Sequence, residues 1–173
     1  MVATPARRGV RRVQALTPAP RPTIAVTAGE PAGIGPDLCL ALAQLELPCN
    51  LVILGSHALL TERAHLLGLE IELPLFESSV QDREATHGLR VLDVPLRAPC
   101  IAGNLDPANA RHVLGLLDRA IEGALRREFE AIVTAPVQKS VINDAGVPFT
   151  GHTEYLAERT GAALPVMLLA ADH

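Results

Sequence analysis

From residue 23 onward, hydrophobic residues follow two alternating patterns. Short runs of aliphatic and β-branched residues predict strands at 23–27, 50–54, 89–94, 131–134 and 166–170. Between these runs, apolar residues recur at three- and four-residue spacing and predict helices at 35–45, 57–67, 107–129 and 152–160, with a further helix beginning within 137–143. This alternation predicts an α/β fold with a largely parallel sheet and helices on both faces.

Local signals mark where several of these helices begin. Ser56 and Asp106 are side chains of the kind that cap a helix N-terminus, and Pro36 and Pro107 suit a first helical turn. The helix at 107–129 has the most regular apolar stripe. We therefore expect it to cover one face of the sheet.

Two parts of the chain fall outside this pattern. Residues 1–22 hold five arginines, several prolines and no acid, which predicts a flexible leader before the α/β portion at 23–173. The leader is similar in composition to an organelle transit peptide, but its prolines would break the amphipathic helix of such a signal. A plain extension, or a start codon assigned too early, is favoured. Residues 77–88 are polar and turn-like, and 95–104 are predicted to be a loop.

Composition excludes several classes of protein. Of the 173 residues 49% are hydrophobic, but no apolar stretch reaches the roughly 20 residues of a membrane-spanning helix, so we expect no membrane partner. Five of the 15 basic residues lie in 1–22, which leaves 10 against 19 acidic residues in 23–173, a net charge of −9 that argues against a nucleic-acid partner. Three cysteines without a C-x-x-C pair favour a reducing cytoplasm over a disulfide scaffold or a cysteine zinc site.

The loop after the first strand is the first candidate site, because open α/β sheets bind ligands beyond the carboxyl ends of their strands. Gly29, Gly33 and Gly35 precede a helix here, and their backbone N–H groups are candidates for binding a phosphate or carboxylate. Glu30 is a candidate for contacting a helix terminus or a substrate amine. The loop fits neither G-x-G-x-x-G nor a P-loop, and a tight strand-to-helix turn is an equally good interpretation.

The loop after the fourth strand carries Lys139, the single lysine in a chain with 14 arginines. Because the chain uses arginine for almost every other positive charge, the lysine at this position indicates that an ammonium group is specifically needed there, as a phosphate contact or a proton carrier. Chance is the alternative interpretation.

The third candidate is the turn-rich segment 143–154, which contains His152 and Thr153 at a predicted helix N-terminus. A His-Thr pair there can donate two side-chain hydrogen bonds to an oxyanion, and the helix dipole adds to them. A packed structural histidine is the alternative for His152 alone. The histidines at 57, 65, 87 and 112 lack metal-ligand spacing and are expected on the solvated surface.

Three blocks of sequence are distinctive when taken together. They are TAGEPAGIGPD at 27–37, NLDPANARHVLGLLDRAI at 104–121 and VINDAGVPFTGHTEYLAERTG at 141–161. From about residue 23 to its end, the chain resembles the 4-hydroxythreonine-4-phosphate dehydrogenase family of vitamin B6 biosynthesis.

The resemblance implies an isocitrate/isopropylmalate-dehydrogenase-like fold and a cytoplasmic homodimer with its active site in an interdomain cleft. It implies oxidation of 4-phosphooxy-L-threonine by NAD or NADP with a divalent metal (Zn, Mg or Co), and decarboxylation to 3-amino-2-oxopropyl phosphate. By position, His152 and Thr153 match the family's substrate-contacting pair, and the glycine turn matches the loop that faces the cleft. Lys139 falls in a block usually written Gly-Pro-Val-x-Lys, and its role is open.

The chain departs from the family in length. Family members are nearly twice as long, and their three metal-binding histidines and further substrate contacts follow the position of His173, which matches no ligand itself. We therefore expect no metal ligand in this chain, an incomplete fold, and little or no activity from the chain alone. Ala28 and Ala135 also replace a common Pro and Gly. A related dehydrogenase of a four-carbon sugar-acid 4-phosphate and a non-catalytic phosphate-binding half-domain stay open as alternatives.

Overall fold

The computed structural model describes residues 21–77 and 89–171. Four strands form one sheet in these residues: β1 (Thr23–Thr27), β2 (Asn50–Gly55), β3 (Leu89–Asp93) and β4 (Ala131–Thr134). The strand order is β3-β2-β1-β4, and every neighbouring pair is parallel. The predicted α/β architecture with a parallel sheet is confirmed.

Five α-helices accompany the described strands: α1 (Gly35–Leu42), α2 (His57–Leu66), α3 (Ala110–Leu125), α4 (Lys139–Asp144) and α5 (His152–Thr160). The predicted caps are confirmed, because Ser56 Oγ accepts a hydrogen bond from Leu59 N and Asp106 Oδ1 accepts one from Ala108 N. Asp106 caps a short 3₁₀ turn that leads into α3. No helix in the described part of the chain is long and apolar enough to cross a membrane.

The crossovers place helices on both faces of the sheet. The chain steps in one direction from β1 through α1 to β2 and through α2 to β3, and right-handed crossovers put α1 and α2 on the same face. These two helices contact each other. The chain then returns past β1 to reach β4, which puts α3 on the opposite face, where it contacts β1, β2 and β4.

Two apolar clusters form the core. The larger one surrounds β1 and β2, and all six residues of β2 are buried. The smaller one lies where α3 meets α4 and α5, and includes Leu117, Ile142, Phe149 and Tyr155. The candidate sites after β1 and β4 are therefore supported by different clusters.

Two predictions of local structure are wrong. Residues 166–170 do not form a strand, because 162–171 run exposed without helix or strand, and no described strand pairs with their backbone N–H and C=O groups. His112, expected at the surface, is only 2% exposed. It lies on the inner face of α3, where its Nδ1 lies 3.1 Å from the carbonyl oxygen of Pro95.

The remaining predictions differ in detail or lie outside the described residues. The helices predicted to end at 45 and 129 end at Leu42 and Leu125. Apart from Arg21 and Pro22, the predicted leader lies outside the described residues, as do His87, His173 and residues 78–88 of the turn-like segment.

Candidate anion-binding site

The strand order places a switch point between β1 and β4. From β1 the chain leads to α1 on one face of the sheet. The helices after β4, α4 and α5, contact α3 on the opposite face, so the loops that follow β1 and β4 lead to opposite faces. Open α/β sheets bind ligands in the crevice at such a point. Two of the three candidate loops begin here, at residues 28–34 and 135–138.

The glycine turn after β1 closes against the loop after β4. Gly29 has a φ of +72°, and a Cβ at this position would lie 2.3 Å from the carbonyl oxygen of Pro136. The next residue, Glu30, donates its N–H to that same oxygen at 3.0 Å. A Cβ on Gly35 would lie 2.0 Å from the carbonyl oxygen of Ala28. These glycines therefore allow two backbone segments to approach closely.

Several N–H groups of the turn already have partners within the chain. Ala32 donates its N–H to Glu30 Oε1 at 3.2 Å, and Gly33 donates its N–H to the Glu30 carbonyl oxygen at 3.0 Å. Packing thus accounts for the glycines without a ligand. A role for Gly29, Gly33 and Gly35 in a ligand cleft stays a prediction.

Glu30 is a buried acid beside this turn. The residue is 4% exposed, and among the described residues its Oε2 has no hydrogen-bond partner. Burial raises the pKa of the Glu30 carboxyl, the hydrogen bond from Ala32 N lowers it, and the negative charge of Asp106 raises it. Contact between Glu30 and a substrate amine would require this carboxyl to become accessible, and it stays a prediction.

The N-terminus of α5 has no side-chain cap. Gly151 occupies the N-cap position and has no side chain to accept hydrogen bonds from the first turn. The first N–H groups of an α-helix lack partners within the helix and carry partial positive charge. The helix dipole therefore contributes positive potential at the beginning of α5, against the negative charge of Glu154 in the first turn.

Lys139 and His152 meet at this helix N-terminus. The Nζ of Lys139 lies 3.5 Å from the point where a Cβ on Gly151 would stand, and Glu154 Oε2 lies 3.0 Å from the same point. His152 Nε2 is buried without a hydrogen-bond partner among the described residues. Burial, and then the positive charge of Lys139, lowers the pKa of His152. The lowered pKa favours the neutral imidazole, and its Nε2 can hydrogen-bond a ligand.

This arrangement suits an oxyanion. An ammonium group, an imidazole nitrogen and an uncapped helix N-terminus favour a phosphate ester or a carboxylate. The Glu154 carboxylate in the first turn opposes them and has to turn away from a bound anion. Of the residues singled out in the sequence, the structure brings Lys139 and His152 together, and Thr153 follows on the first turn of α5, partly exposed. The glycine turn contacts Ala135 and Pro136 instead.

The side chains that hold α5 in place were not predicted from the sequence. Tyr155, the chain's single tyrosine, lies three residues after His152 and hence close to it on the same side of the helix. Its hydroxyl donates a hydrogen bond to Asp118, which lies 37 residues away on α3. The three-residue spacing between His152 and Tyr155 is evident in the sequence, but no local pattern indicates that Asp118 is the hydrogen-bond partner of Tyr155.

The described residues do not provide a metal centre. Within 21–77 and 89–171, no group of three or more His, Cys, Asp or Glu side chains is placed to hold an ion. The donor set of these residues thus does not fit the divalent metal that the family resemblance implies.

Comparison with known proteins identifies the family. Residues 47–173 match the family model described as "Pyridoxal phosphate biosynthetic protein PdxA". The chain belongs to the PdxA family. This PdxA-family chain is 61% identical over 151 residues to a 4-hydroxythreonine-4-phosphate dehydrogenase of Chromobacterium violaceum, a match that covers 87% of the chain and 45% of the relative. It is 55% identical to the relative of that name from Thioalkalivibrio sulfidiphilus, over 87% of the chain and 46% of the relative.

Solved structures show the same fold as this PdxA-family chain. A putative 4-hydroxythreonine-4-phosphate dehydrogenase from Salmonella typhimurium superposes with a TM-score of 0.71 at 33% identity, over 82% of the chain and 46% of that structure. A terephthalate 1,2-cis-dihydrodioldehydrogenase from Burkholderia xenovorans superposes with a TM-score of 0.64 at 22% identity, over 84% of the chain and 42% of that structure, and so shares the fold. The chain spans about half the length of the curated relatives that it matches, 45% and 46% of the two above.

Proposed function

We propose that this chain supplies the phosphate-binding half of a 4-hydroxythreonine-4-phosphate dehydrogenase. The complete enzyme would oxidise 4-phosphooxy-L-threonine at C3, and the product would lose carbon dioxide to give 3-amino-2-oxopropyl phosphate. NAD or NADP would accept the hydride that leaves C3. The names of the relatives support this activity, and the substrate's phosphate ester is the kind of group that the N-terminus of α5 suits.

The convergence of Lys139 and His152 on the uncapped N-terminus of α5 carries the proposal. The phosphate oxygens accept hydrogen bonds from the first N–H groups of the helix and from the Thr153 hydroxyl. The neutral imidazole donates from Nε2, and the Lys139 ammonium offsets negative charge on the ester. Because hydrogen bonds to an ionised group are among the stronger ones, each of these contacts should matter to affinity.

The proposal extends to groups outside this cluster. We assign Gly29, Gly33 and Gly35 to the wall of the ligand cleft, and Glu30 to the substrate ammonium once the cleft is complete. A divalent metal (Zn, Mg or Co), a homodimer and a cytoplasmic location belong to the proposed complete enzyme. The 173-residue chain alone should bind the phosphate ester without oxidising it, because no metal site lies among its described residues.

Calorimetric titration with 4-phosphooxy-L-threonine tests the proposal. We expect His152→Ala and Lys139→Gln each to weaken binding about tenfold or more, the loss of one charge-assisted hydrogen bond. His65→Gln is the matched control, since His65 lies exposed on α2. Equal affinity of wild type and both site variants would refute the anion site.

Further outcomes separate the alternatives. Reduction of NAD or NADP by the chain alone would refute the expected inactivity. Tighter binding of erythronate 4-phosphate than of 4-phosphooxy-L-threonine would favour the sugar-acid dehydrogenase. Phosphate-ester binding without redox turnover, even after a complementary second half from a relative is added, would favour the non-catalytic half-domain.

A further inference from the structure

The hydroxyl of Tyr155 joins α5 to α3. Tyr155 is 8% exposed, and its hydroxyl donates to Asp118 Oδ1 at 2.7 Å. Arg159 Nη2 donates to the same hydroxyl oxygen at 3.0 Å, and the Arg159 Nε lies 3.3 Å from Asp118 Oδ1. The Arg159 guanidinium also lies 5.0 Å from the centre of the Tyr155 ring. One residue of α3 and two of α5 thus form a closed polar cluster.

The ring of Tyr155 continues to the His152 imidazole through Phe149. The centres of the Tyr155 and Phe149 rings are 5.6 Å apart. Phe149 and His152 meet edge to face, with ring centres 6.1 Å apart and an angle of 87° between the planes. Asn143 holds the Phe149 backbone, because its Oδ1 accepts from Phe149 N at 2.8 Å and its Nδ2 donates to the Phe149 carbonyl oxygen at 3.2 Å.

We propose that Tyr155, anchored by Asp118, is a positioning residue that sets where the His152 imidazole stands at the N-terminus of α5. The inference rests on the proposed function, because the anion is the ligand that this imidazole would bind. It also gives a role to Asn143 and Phe149. Both lie in the sequence block around the His-Thr pair, and neither takes part in the proposed ligand contacts.

Directionality explains why the hydroxyl matters. Packed rings tolerate sliding and tilting, whereas a hydrogen bond requires a short donor–acceptor distance and a nearly linear geometry. α5 has only nine residues, so a rotation that breaks the bond between Tyr155 and Asp118 displaces His152 one turn away. An anion site loses affinity when one of its groups moves by a fraction of an ångström to an ångström.

Substitutions that keep the aromatic packing test the proposal in the 173-residue chain. Tyr155→Phe removes the hydroxyl and keeps the ring, and Asp118→Ala removes its acceptor from outside α5. We expect both to change the NMR signals and the pKa of the His152 imidazole in the free protein, and to weaken binding of 4-phosphooxy-L-threonine about tenfold. Asp118→Asn keeps an acceptor oxygen and should largely restore both properties.

The control lies on the same helix as Asp118. Glu122→Gln weakens the exposed ion pair between Glu122 on α3 and Arg126, the residue after α3, and should leave the His152 signals and the affinity unchanged. If Tyr155→Phe lowers the melting temperature but leaves the imidazole signals, its pKa and the affinity at wild-type values, Tyr155 is merely structural and the proposal is overturned. If Tyr155→Phe does not fold, Asp118→Ala decides by the same criteria.

The two proposals fail in different ways. A wild-type chain without affinity for the phosphate ester would refute the proposed function. The imidazole signals and pKa are measured without ligand, so they would still decide whether Tyr155 positions His152.

Discussion

The sheet is covered unevenly. The β2 region, which is β2 with the helices packed on it, contrasts with the β4 region, which is β4 with α4, α5 and the chain that follows them. All six residues of β2 are buried, with Ile53 at 1% exposure between α-helices on both faces. On β4 exposure alternates, Val133 is 50% exposed, and the chain beyond α5 leaves Leu168 and Leu169 87% and 89% exposed. The β2 region thus buries its own apolar surface, whereas the candidate anion site belongs to the less covered region.

This difference separates the scaffold from the site. Regions with few buried apolar contacts open most easily, and binding sites are often drawn from them. In this chain, α4 and α5, which carry Lys139 and His152, pack against α3 in the smaller of the two apolar clusters. Substitutions in the two regions should therefore affect different properties.

The largest expected difference is in stability. Ile53→Ala should lower the free energy of unfolding by about 2–5 kcal/mol because it leaves a cavity in the packed core. Val133→Ala, on the exposed face of β4, should cost less than about 1 kcal/mol. Urea unfolding of both variants measures this, and equal losses would show that the β4 region is as well packed as the β2 region.

Gly29 tests the contact between the two regions. Gly29→Ala places a methyl group 2.3 Å from the Pro136 carbonyl oxygen, in a backbone with positive φ, and should cost about 3 kcal/mol. Gly68 has a similar φ of +67°, but a Cβ there would meet nothing within 4 Å, so Gly68→Ala should cost only about 1–2 kcal/mol. Chemical denaturation distinguishes them, and indistinguishable values would mean that the loops after β1 and β4 are not in close contact.

Sequence-based prediction succeeded where a structural signal is local. The β1 run, the Ser56 cap and the bounds of α5 follow from neighbouring residues, and each was confirmed. The apolar run at 166–170 has the composition of a strand, but a strand also needs a neighbour to pair with. His112 becomes buried because the loop at Pro95 folds over α3, a contact between segments 17 residues apart.

Prediction of the candidate anion site also succeeded only where the signal is local. Lys139 and His152 were selected from their local surroundings, and the structure places them together. The hydrogen bond from Tyr155 to Asp118 joins two helices, and the burial of Glu30 depends on several loops. Neither could be read from local spacing.

A smaller effect concerns pH. Burial lowers the pKa of His112 below its ordinary 6.5, although the hydrogen bond with the Pro95 carbonyl raises it. As pH falls below about 6.5, the unfolded chain therefore takes up a proton more readily than the folded chain, and stability decreases. His112→Asn keeps a donor near Pro95 but does not titrate, so its free energy of unfolding should fall less steeply between about pH 7 and pH 5.5.

His152→Asn is the comparison from the other region. Burial and Lys139 lower the pKa of His152 as well, so this substitution should also flatten the pH dependence of the free energy of unfolding. Denaturant unfolding at several pH values measures both slopes. A wild-type slope in His112→Asn would mean that His112 is not buried in the folded chain.

The most direct test of the anion site is an NMR titration of the backbone amides with 4-phosphooxy-L-threonine. We expect the amide signals of Gly151, His152 and Thr153 to shift together and saturate at one ligand concentration, and Lys139→Gln to move this saturation to higher concentration. Signals at 151–153 that stay fixed while those of residues 28–35 shift would place the ligand at the glycine turn and contradict the assignment to α5.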